Sequence, residues 1–493
     1  MARLFCDVRG SYRFDFTKEI EALSAGEVTV ALTSGDAKSD IFGRGLTTMK
    51  RDWQHERFHE TLMKDYVHTG ANAALLSSPE FHDMAMMAID HLQRMSPTYR
   101  YNAHNLTNLQ DYLDYYYILT DVIARRMIEE RITHAVFFMA PHLGYDTVIY
   151  QVAKSLGIKT LVLNQQSLFN DRYFSSSSIE DWGHLNAEAV DYPPIHLERG
   201  ELPDLFFMDK KWQEPGRTGR MSMAALVNFF AYVVRHEPRK LLNLNGLWKT
   251  LQRISRIYGT LPEWRDPFAK FFHTNALAYF EHLAEYENGT VDLEKPFVYI
   301  PLHNQPEMSA STLGGRYRDQ VLMIEAVARS VPDDWTIYVK ENPRQGAYAR
   351  GPLYFHRLNR LPNVQLVPSD TSSQALVAKS KLVATVAGTA GWEALLLGIP
   401  VITFGGAWYR SLAGVTAFSE GLDFVAVAMN GVDHDALEAS YGALVSKSHE
   451  GLIDKLFFDK VADFDETANC TKVAETVIAL TTGAMRPTFG SFD

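Results

Sequence analysis

Residues 383–405, VATVAGTAGWEALLLGIPVITFG, decide how this chain folds. An apolar, β-branched run closes at Ala387, and a turn of small residues follows, Gly388, Thr389, Ala390 and Gly391. The pattern then predicts a helix opening with Trp392 and Glu393 and stopping at Gly398, ahead of Pro400 and a second strand, VITF. Strand, turn, helix and strand in that order make one βαβ unit, the connection that parallel neighbours need. Small residues let backbone N–H groups and the Thr389 hydroxyl approach an anion at a helix amino terminus, where the dipole favours negative charge. A nucleotide phosphate fits there. A tight β-to-α turn also selects Gly and Thr for packing alone, and both readings stand for the turn by itself. Glu393 complements the helix dipole or, in a nucleotide site, accepts hydrogen bonds from a ribose.

The same grammar extends upstream. FVYIPL (297–302), TIYVKE (336–341) and VQLV (364–367), with LVATVA (382–387) and VITF (401–404), are five short strands separated by helix-length segments. They predict an open, doubly wound parallel sheet with ligands gathered at the carboxyl ends of its strands. Two further groups fall at such ends. In YVKENP, Lys340 and Glu341 finish a strand and Pro343 forces Asn342 out of the helical region. A cation there neutralises a departing nucleotide, or the pair is an exposed strand-end salt bridge. In PLHNQPEMS, His303 and Glu307 can position a sugar or phosphate, or sit in an ordinary loop, and Gly314 and Gly315 follow. PSDTSS (368–373) is an N-capping cluster whose Ser369 and Thr371 lie near the same edge.

Toward the amino terminus the α/β grammar returns. LFCDV, VTVALT, HAVFFMA (134–140) and KTLVLN (159–164) read as strands, with a helix over Asp146 to Leu156 ended by Gly157. Between the halves, residues 185–293 lack strand grammar and show helix-length apolar patterns punctuated by prolines. The expected organisation is an amino-terminal α/β domain (1–184), a helical connector (185–293), a carboxy-terminal α/β domain (294–466) and a final helix and tail (467–493). With 493 residues, 46% hydrophobic, there is material for more than one core.

Charge and cysteine content narrow the partners. Net charge is −11, which argues against a nucleic-acid binder, yet residues 209–259 alone carry +7 and the rest −18. In that segment Leu226, Phe229, Phe230 and Val233, then Leu241, Leu244, Leu247, Trp248, Leu251 and Ile254, alternate with Arg and Lys. That suits an interfacial helix pair on anionic lipid, an interdomain helix with a solvated basic face, or a gatherer of anionic glycan. Two cysteines, Cys6 and Cys470, offer no disulfide framework and no zinc site, as expected of a reducing compartment. No signal peptide is evident, and the longest apolar run, Met221 to Val234, is short of a membrane span. The expected location is the cytoplasm, free or peripheral at the inner face of the membrane.

Taken together, YIPLHNQPE, TIYVKENP and TVAGTAGWEALLLGIPVITFGGAWY resemble the bacterial capsular polysaccharide biosynthesis family, which includes the β-Kdo transferases of capsule assembly. The resemblance covers residues 296–420 and, more thinly, 140–160. It implies a metal-independent GT-B glycosyltransferase, two Rossmann-like domains facing a cleft, with CMP-Kdo held by the carboxy-terminal domain. Two positions depart from the family pattern: Asn342-Pro343 replaces a His-Pro pair, and a Pro-Phe-Tyr-Ala-Gly-Trp-Gly segment shrinks to Ala407, Trp408, Tyr409, Ala413 and Gly414.

The expected activity is transfer of a sugar, Kdo or another acidic sugar from a CMP-activated donor, onto a surface polysaccharide or glycolipid. Donor-binding candidates are His303, Lys340, Glu341, Pro343, Gly388, Thr389, Gly391 and Glu393. Catalytic candidates on the acceptor side are Asp146, then Glu80, with His142; His82, Asp171 and Arg172 also follow apparent strands. A carboxylate there deprotonates the acceptor or attacks the anomeric carbon, although Asp146 also suits a helix cap. No cofactor and no metal is expected, because Asp433-His434-Asp435 and Asp463-Phe464-Asp465 read as caps or solvated charge, not as metal-binding Asp-x-Asp. Walker A and Gly-x-Ser-x-Gly motifs are missing. The alternatives are a CDP-polyol phosphotransferase, a sugar-nucleotide epimerase, or a non-catalytic nucleotide-sugar-binding scaffold.

Overall fold

The short β-branched runs of the sequence form strands whose order can be read from their pairing. A computed structural model describes residues 1–7, 15–34, 41, 66–95, 108–142, 144–165, 171–185, 192–200, 291–305, 307–342, 350, 352–368, 371–461 and 463–492, with single residues between 227 and 249. In chain order the strands are β1 (Ala2–Asp7), β2 (Val28–Ser34), β3 (His134–Phe137), β4 (Lys159–Gln165), β5 (Arg172–Ser176) and β6 (Phe297–Pro301). They continue with β7 (Thr336–Lys340), β8 (Val364–Val367), β9 (Leu382–Thr385), β10 (Val401–Thr403), β11 (Val415–Ala417) and β12 (His449–Glu450). The principal helices are α1 (Phe16–Leu23), α2 (Phe81–Met95), α3 (Leu109–Glu129), α4 (Tyr145–Ser155), α5 (Gln320–Ser330) and α6 (Pro352–Asn359). After them come α7 (Ser373–Lys379), α8 (Thr389–Leu396), α9 (Phe424–Asn430), α10 (His434–Ser446) and α11 (Glu466–Thr482).

The chain divides into two α/β units, each with a six-stranded, mostly parallel sheet. Unit 2 comprises Leu197–Ala310 and Gly314–Leu437, and its sheet runs β8-β7-β6-β9-β10-β11, parallel throughout. Counted along the unit that order is 3-2-1-4-5-6, so the chain reverses direction across the sheet between β6 and β9. Those two strands pair Val298 with Leu382 and Tyr299 with Val383. Their residues are buried nearly throughout, as apolar strands covered on both faces must be. Val298, Ile300, Val339, Leu382 and Ile402 from the strands meet Ile324 and Val327 of α5 in one core. Each such fully buried aliphatic side chain contributes about 1.5–3 kcal/mol of transfer free energy.

Unit 1 comprises Met1–His196, Ser311–Leu313 and Glu438–Asp493, with strand order β12-β5-β4-β3-β1-β2. Strands β1 to β4 are parallel, β5 is antiparallel to β4, and β12 is antiparallel to β5. The switch of direction here lies between β1 and β3. The final helix α11 belongs to this unit and packs on α1, where Thr471 donates to Glu19 Oε1 at 3.1 Å.

Several expectations need correction. The second unit ends at Leu437 and not at residue 466, because Glu438 onward pairs and packs with unit 1. The stretch ahead of Glu80 and His82, AALLSS (73–78), reads as a strand, but Ala73–Leu76 is a helical turn: its residues are good helix formers, and Asp121 holds the preceding loop through the Thr69 and Ala71 N–H groups. Arg172 does not lie in a loop but opens β5. Helix α8 starts at Thr389, since Gly388 is its extended N-cap (φ −80°, ψ 156°), which moves Glu393 into the second turn. It ends as expected: Gly398 takes φ +75°, a conformation costly for other residues, and Ile399 N–H bonds back to Ala394 O. The connector helices expected over 185–293 lie almost entirely outside the described residues. No helix among the described residues is long and apolar enough to cross a membrane.

Candidate functional site

At the switch point of unit 2 the carboxyl ends of β6 and β9 deliver His303 and the Gly388–Gly391 turn to one place. Helix α8 has no side chain capping its amino terminus. The Thr389 and Ala390 N–H groups of its first turn have no intrahelical acceptor, the Gly391 N–H donates to Gly388 O at 3.1 Å, and the Thr389 hydroxyl has no hydrogen-bond partner among the described residues. The turn is partly exposed. Hydrogen bonds from beneath shape it: Gly388 N–H donates to Thr385 Oγ1 at 3.2 Å, and the buried Tyr409 hydroxyl donates to Gly388 O. Glycine is required at two of the four positions. A Cβ on Gly388 would lie 2.3 Å from His303 Cε1, and one on Gly391 would lie 2.2 Å from Tyr409 Oη. The result is an uncapped helix terminus with free donors, chemistry suited to an oxyanion.

His303 is buried and lies against this turn. Its Nε2 is 3.1 Å from Thr385 Oγ1 and accepts from the N–H groups of Val386 and Ala387 at 3.2 and 3.3 Å. Burial first, and then the charge of Arg350, push its pKa down to about 4. Glu393 follows Thr389 by four residues and so shares its helix face. Its carboxyl is buried and its pKa is raised by desolvation.

The neighbouring strand end is built differently from its sequence appearance. Lys340 is buried, and its Nζ donates to Thr371 O at 2.6 Å and Ser373 Oγ at 2.8 Å, tying β7 to the start of α7. Glu341 is also buried, in an ion pair with Arg350 (Nε to Oε2, 2.7 Å). The exposed Lys340–Glu341 salt bridge allowed by the sequence therefore does not form. Glu307 is exposed, its Oε2 accepting from Ser309 at 3.4 Å, and Ser372 caps α7. Pro343 and Ser369 lie outside the described residues.

In unit 1, His142 lies between β3 and α4, and Asp146 in the first turn of α4. Asp146 is buried and accepts from the backbone N–H groups of His142 at 2.9 Å and Thr147 at 2.8 Å. The His142 Nδ1 lies 2.8 Å from Ala140 O, and since a carbonyl only accepts, Nδ1 carries a proton; in the neutral ring the lone pair is then on Nε2. Nε2 has no hydrogen-bond partner among the described residues. Glu80 is exposed and turned toward Ser78, whose hydroxyl at 2.5 Å lowers the carboxyl pKa, as does the Glu80 N–H. Arg172 is engaged with Ser448 and Glu450. Asp433 and Asp465 cap α10 and α11 by accepting backbone N–H groups. Among the described residues no three metal-ligating side chains cluster.

Gln320, Arg350 and Thr385 were not singled out from the sequence. A glutamine opening a helix and an arginine in a loop both read as solvated, and only folding reveals them as buried partners of His303. Thr385 had a faint signal, as a hydroxyl inside an otherwise apolar strand three residues before the glycine turn.

Comparison with known proteins adds the following. No curated protein matches the chain. A solved KpsC β-Kdo 2,7 transferase from Thermosulfurimonas dismutans is similar at 11% identity, covering 81% of this chain and 95% of that one, with a TM-score of 0.31. Its β-Kdo 2,4 transferase is similar at 14% identity over 63% and 79%, TM-score 0.26. A UDP-GlcNAc 2-epimerase from Methanocaldococcus jannaschii, in complex with UDP-GlcNAc and UDP, is similar at 12% identity over 98% and 100%, TM-score 0.22. The model of the family described as capsule polysaccharide biosynthesis protein matches residues 287–439, which take in β6 to β11 and the whole of the His303 and Gly388 site. The resemblance carried by YIPLHNQPE, TIYVKENP and the glycine turn is thus borne out: residues 287–439 have the sequence pattern of the capsule polysaccharide biosynthesis family.

Proposed function

We propose that the protein is a glycosyltransferase of surface polysaccharide assembly that takes its sugar from a nucleotide-activated donor, CMP-linked Kdo or another acidic sugar. The observation that carries this is the uncapped amino terminus of α8, with its free Thr389 hydroxyl, at the switch point of a 3-2-1-4-5-6 sheet inside the family-matched segment. The donor phosphate sits on the Thr389 and Ala390 N–H groups and the Thr389 hydroxyl, beside His303. Gly388 and Gly391 keep that approach open, and Glu393, on the same helix face, receives the ribose hydroxyls. These donors stabilise the departing nucleotide without a metal or other cofactor, by positioning and by preorganised dipoles. Lys340 and Glu341 support the site from behind, through their contacts at Thr371, Ser373 and Arg350.

On the acceptor side the free Nε2 of His142 is the group best prepared to take a proton, with Asp146 fixing the segment that carries it. Glu80 is the second candidate. The acceptor is a glycan or glycolipid, met at an anionic membrane surface. Val227, Phe230, Val234 and Trp248, exposed among the described residues of the basic connector, support that contact.

Purified protein offered CMP-, CDP-, UDP- and GDP-linked donors, with and without chelator, tests this. Sugar transfer from a CMP-sugar is expected to persist in chelator. Thr389→Val should raise the donor KM about tenfold, and His142→Gln should cut kcat by about 10²-fold or more with KM little changed. Turnover of a CDP-polyol alone, or of UDP-GlcNAc to its epimer, would replace sugar transfer with one of those activities.

A further inference from the structure

Three donors converge on one ring nitrogen of His303. The Val386 and Ala387 N–H groups point at Nε2, and the Thr385 hydroxyl lies 3.1 Å from it. A nitrogen that receives N–H donors must hold a lone pair, so Nε2 is unprotonated and the proton of the neutral ring is on Nδ1. With its pKa lowered to about 4 by burial and by Arg350, the ring is neutral near pH 7. Nδ1 has no hydrogen-bond partner among the described residues, although His303 is only 7% exposed. The Cε1–Nδ1 edge faces Gly388: a Cβ there would come within 3.0 Å of Nδ1.

The main chain of His303 is held as firmly as its ring. Its N–H donates to Gln320 Oε1 at 2.8 Å, and its carbonyl accepts from Gln320 Nε2 at 3.3 Å and from Arg350 Nη2 at 2.6 Å. Arg350 is oriented in turn by Glu341, with Nη2 to Oε1 at 3.0 Å. All three side chains are buried, with Gln320 fully so. A buried ion pair gains little net stability over apolar packing, but it admits few alternative arrangements. We propose that Gln320, Arg350 and Glu341 are positioning residues that lock His303 so that it offers Nδ1–H at the Gly388 turn to an anionic oxygen of the donor substrate. None of the three need touch the donor. This rests on the donor site proposed above and adds how its one buried imidazole is aimed.

Selective ¹⁵N-histidine labelling tests the proposal, with the His303 signals assigned by their loss in His303→Asn. In the free protein at pH 7 the expected signature is a neutral ring protonated at Nδ1. Saturating CMP or CDP should shift Nδ1 and leave Nε2 nearly unmoved. A double variant, Glu341→Gln with Arg350→Gln, removes both charges so that neither is left buried alone, and Gln320→Met removes the other clamp. In folded protein, judged by circular dichroism and melting, each should give His303 a mixture of tautomers and weaken CMP binding about tenfold or more. A ring protonated at Nε2, a charged ring at pH 7, or folded variants that keep the wild-type tautomer and affinity would each overturn the proposal. Should CMP, CDP and UDP all fail to bind the wild type, the donor reading falls, while the free-protein tautomer and its response to the variants still decide the positioning claim.

Discussion

At the scale of single residues, burial turns histidines into pH-sensitive elements of stability. His303 has a folded pKa of about 4 against an ordinary 6.5. Between those values the unfolded chain takes up a proton that the folded chain refuses, so stability is complete above about pH 6.5 and falls as the pH drops toward 4. One such histidine contributes a slope of about 1.4 kcal/mol per pH unit inside that window. Urea unfolding at pH 5, 6 and 7 should therefore show a shallower decline in His303→Asn than in the wild type, by about 1 kcal/mol per unit. Equal slopes would mean that His303 is already charged in the folded protein. The residue types at the site were legible before folding, as glycines, a threonine and a histidine after strands. What each side chain does was less so. Lys340 and Glu341 looked like groups facing a ligand, yet both are consumed by buried contacts, because a strand end cannot reveal which loop folds back over it.

At the scale of elements, periodicity placed most strands and helices, and the exceptions have physical causes. Strand β5, RYFSS, is short and rich in hydroxyls, and it becomes a strand by pairing antiparallel with β4 and β12. The pairing with β12 is set by contacts nearly 280 residues apart, such as Arg172 with Glu450. Helix α8 begins three residues before its apolar pattern because Thr389, Ala390 and Gly391 fill a first turn that carries no packing signal. Capping was more legible. Asp465 accepts from the Thr467 and Ala468 N–H groups at 2.9 and 3.0 Å, and α11 ends at Gly483 with φ +83°. Asp465→Ala should lower stability by about 1 kcal/mol, read as a lower urea midpoint, with donor KM and kcat unchanged. A loss of turnover without a loss of stability would instead make Asp463-Phe464-Asp465 a functional pattern.

At the scale of the molecule, the uneven charge is the feature with a testable consequence. Residues 209–259 hold +7 in a chain of −11, and Val227, Phe230, Val234 and Trp248 expose apolar surface there. Val227, Phe230 and Val234 are each helical and exposed. Sedimentation with phosphatidylserine-containing vesicles should pull down the protein at low ionic strength and release most of it at about 0.5 M salt, where screening is strong. Phe230→Ser with Trp248→Ser should weaken binding at low salt. Binding that ignores salt, or none at all, would return the segment to a solvated connector. The division into two units was readable from the change of composition across residues 185–293, but their boundaries were not. Residues 438–493 return to the first unit after the second sheet is complete.

By itself the sequence determined the α/β class, the strand order's raw material, the glycine turn ahead of α8 and the family pattern over residues 287–439. These are local properties, written in periodicity, small residues and breakers within a few turns of chain. Only the tertiary structure decided that β6 and β9 are neighbours, that Thr385, Val386 and Ala387 converge on His303, and that Gln320, Arg350 and Glu341 are buried behind it. Such contacts join residues 9 to 84 positions apart in sequence. Their energy comes from desolvation and hydrogen-bond geometry, which exist only once the sheet has closed around them.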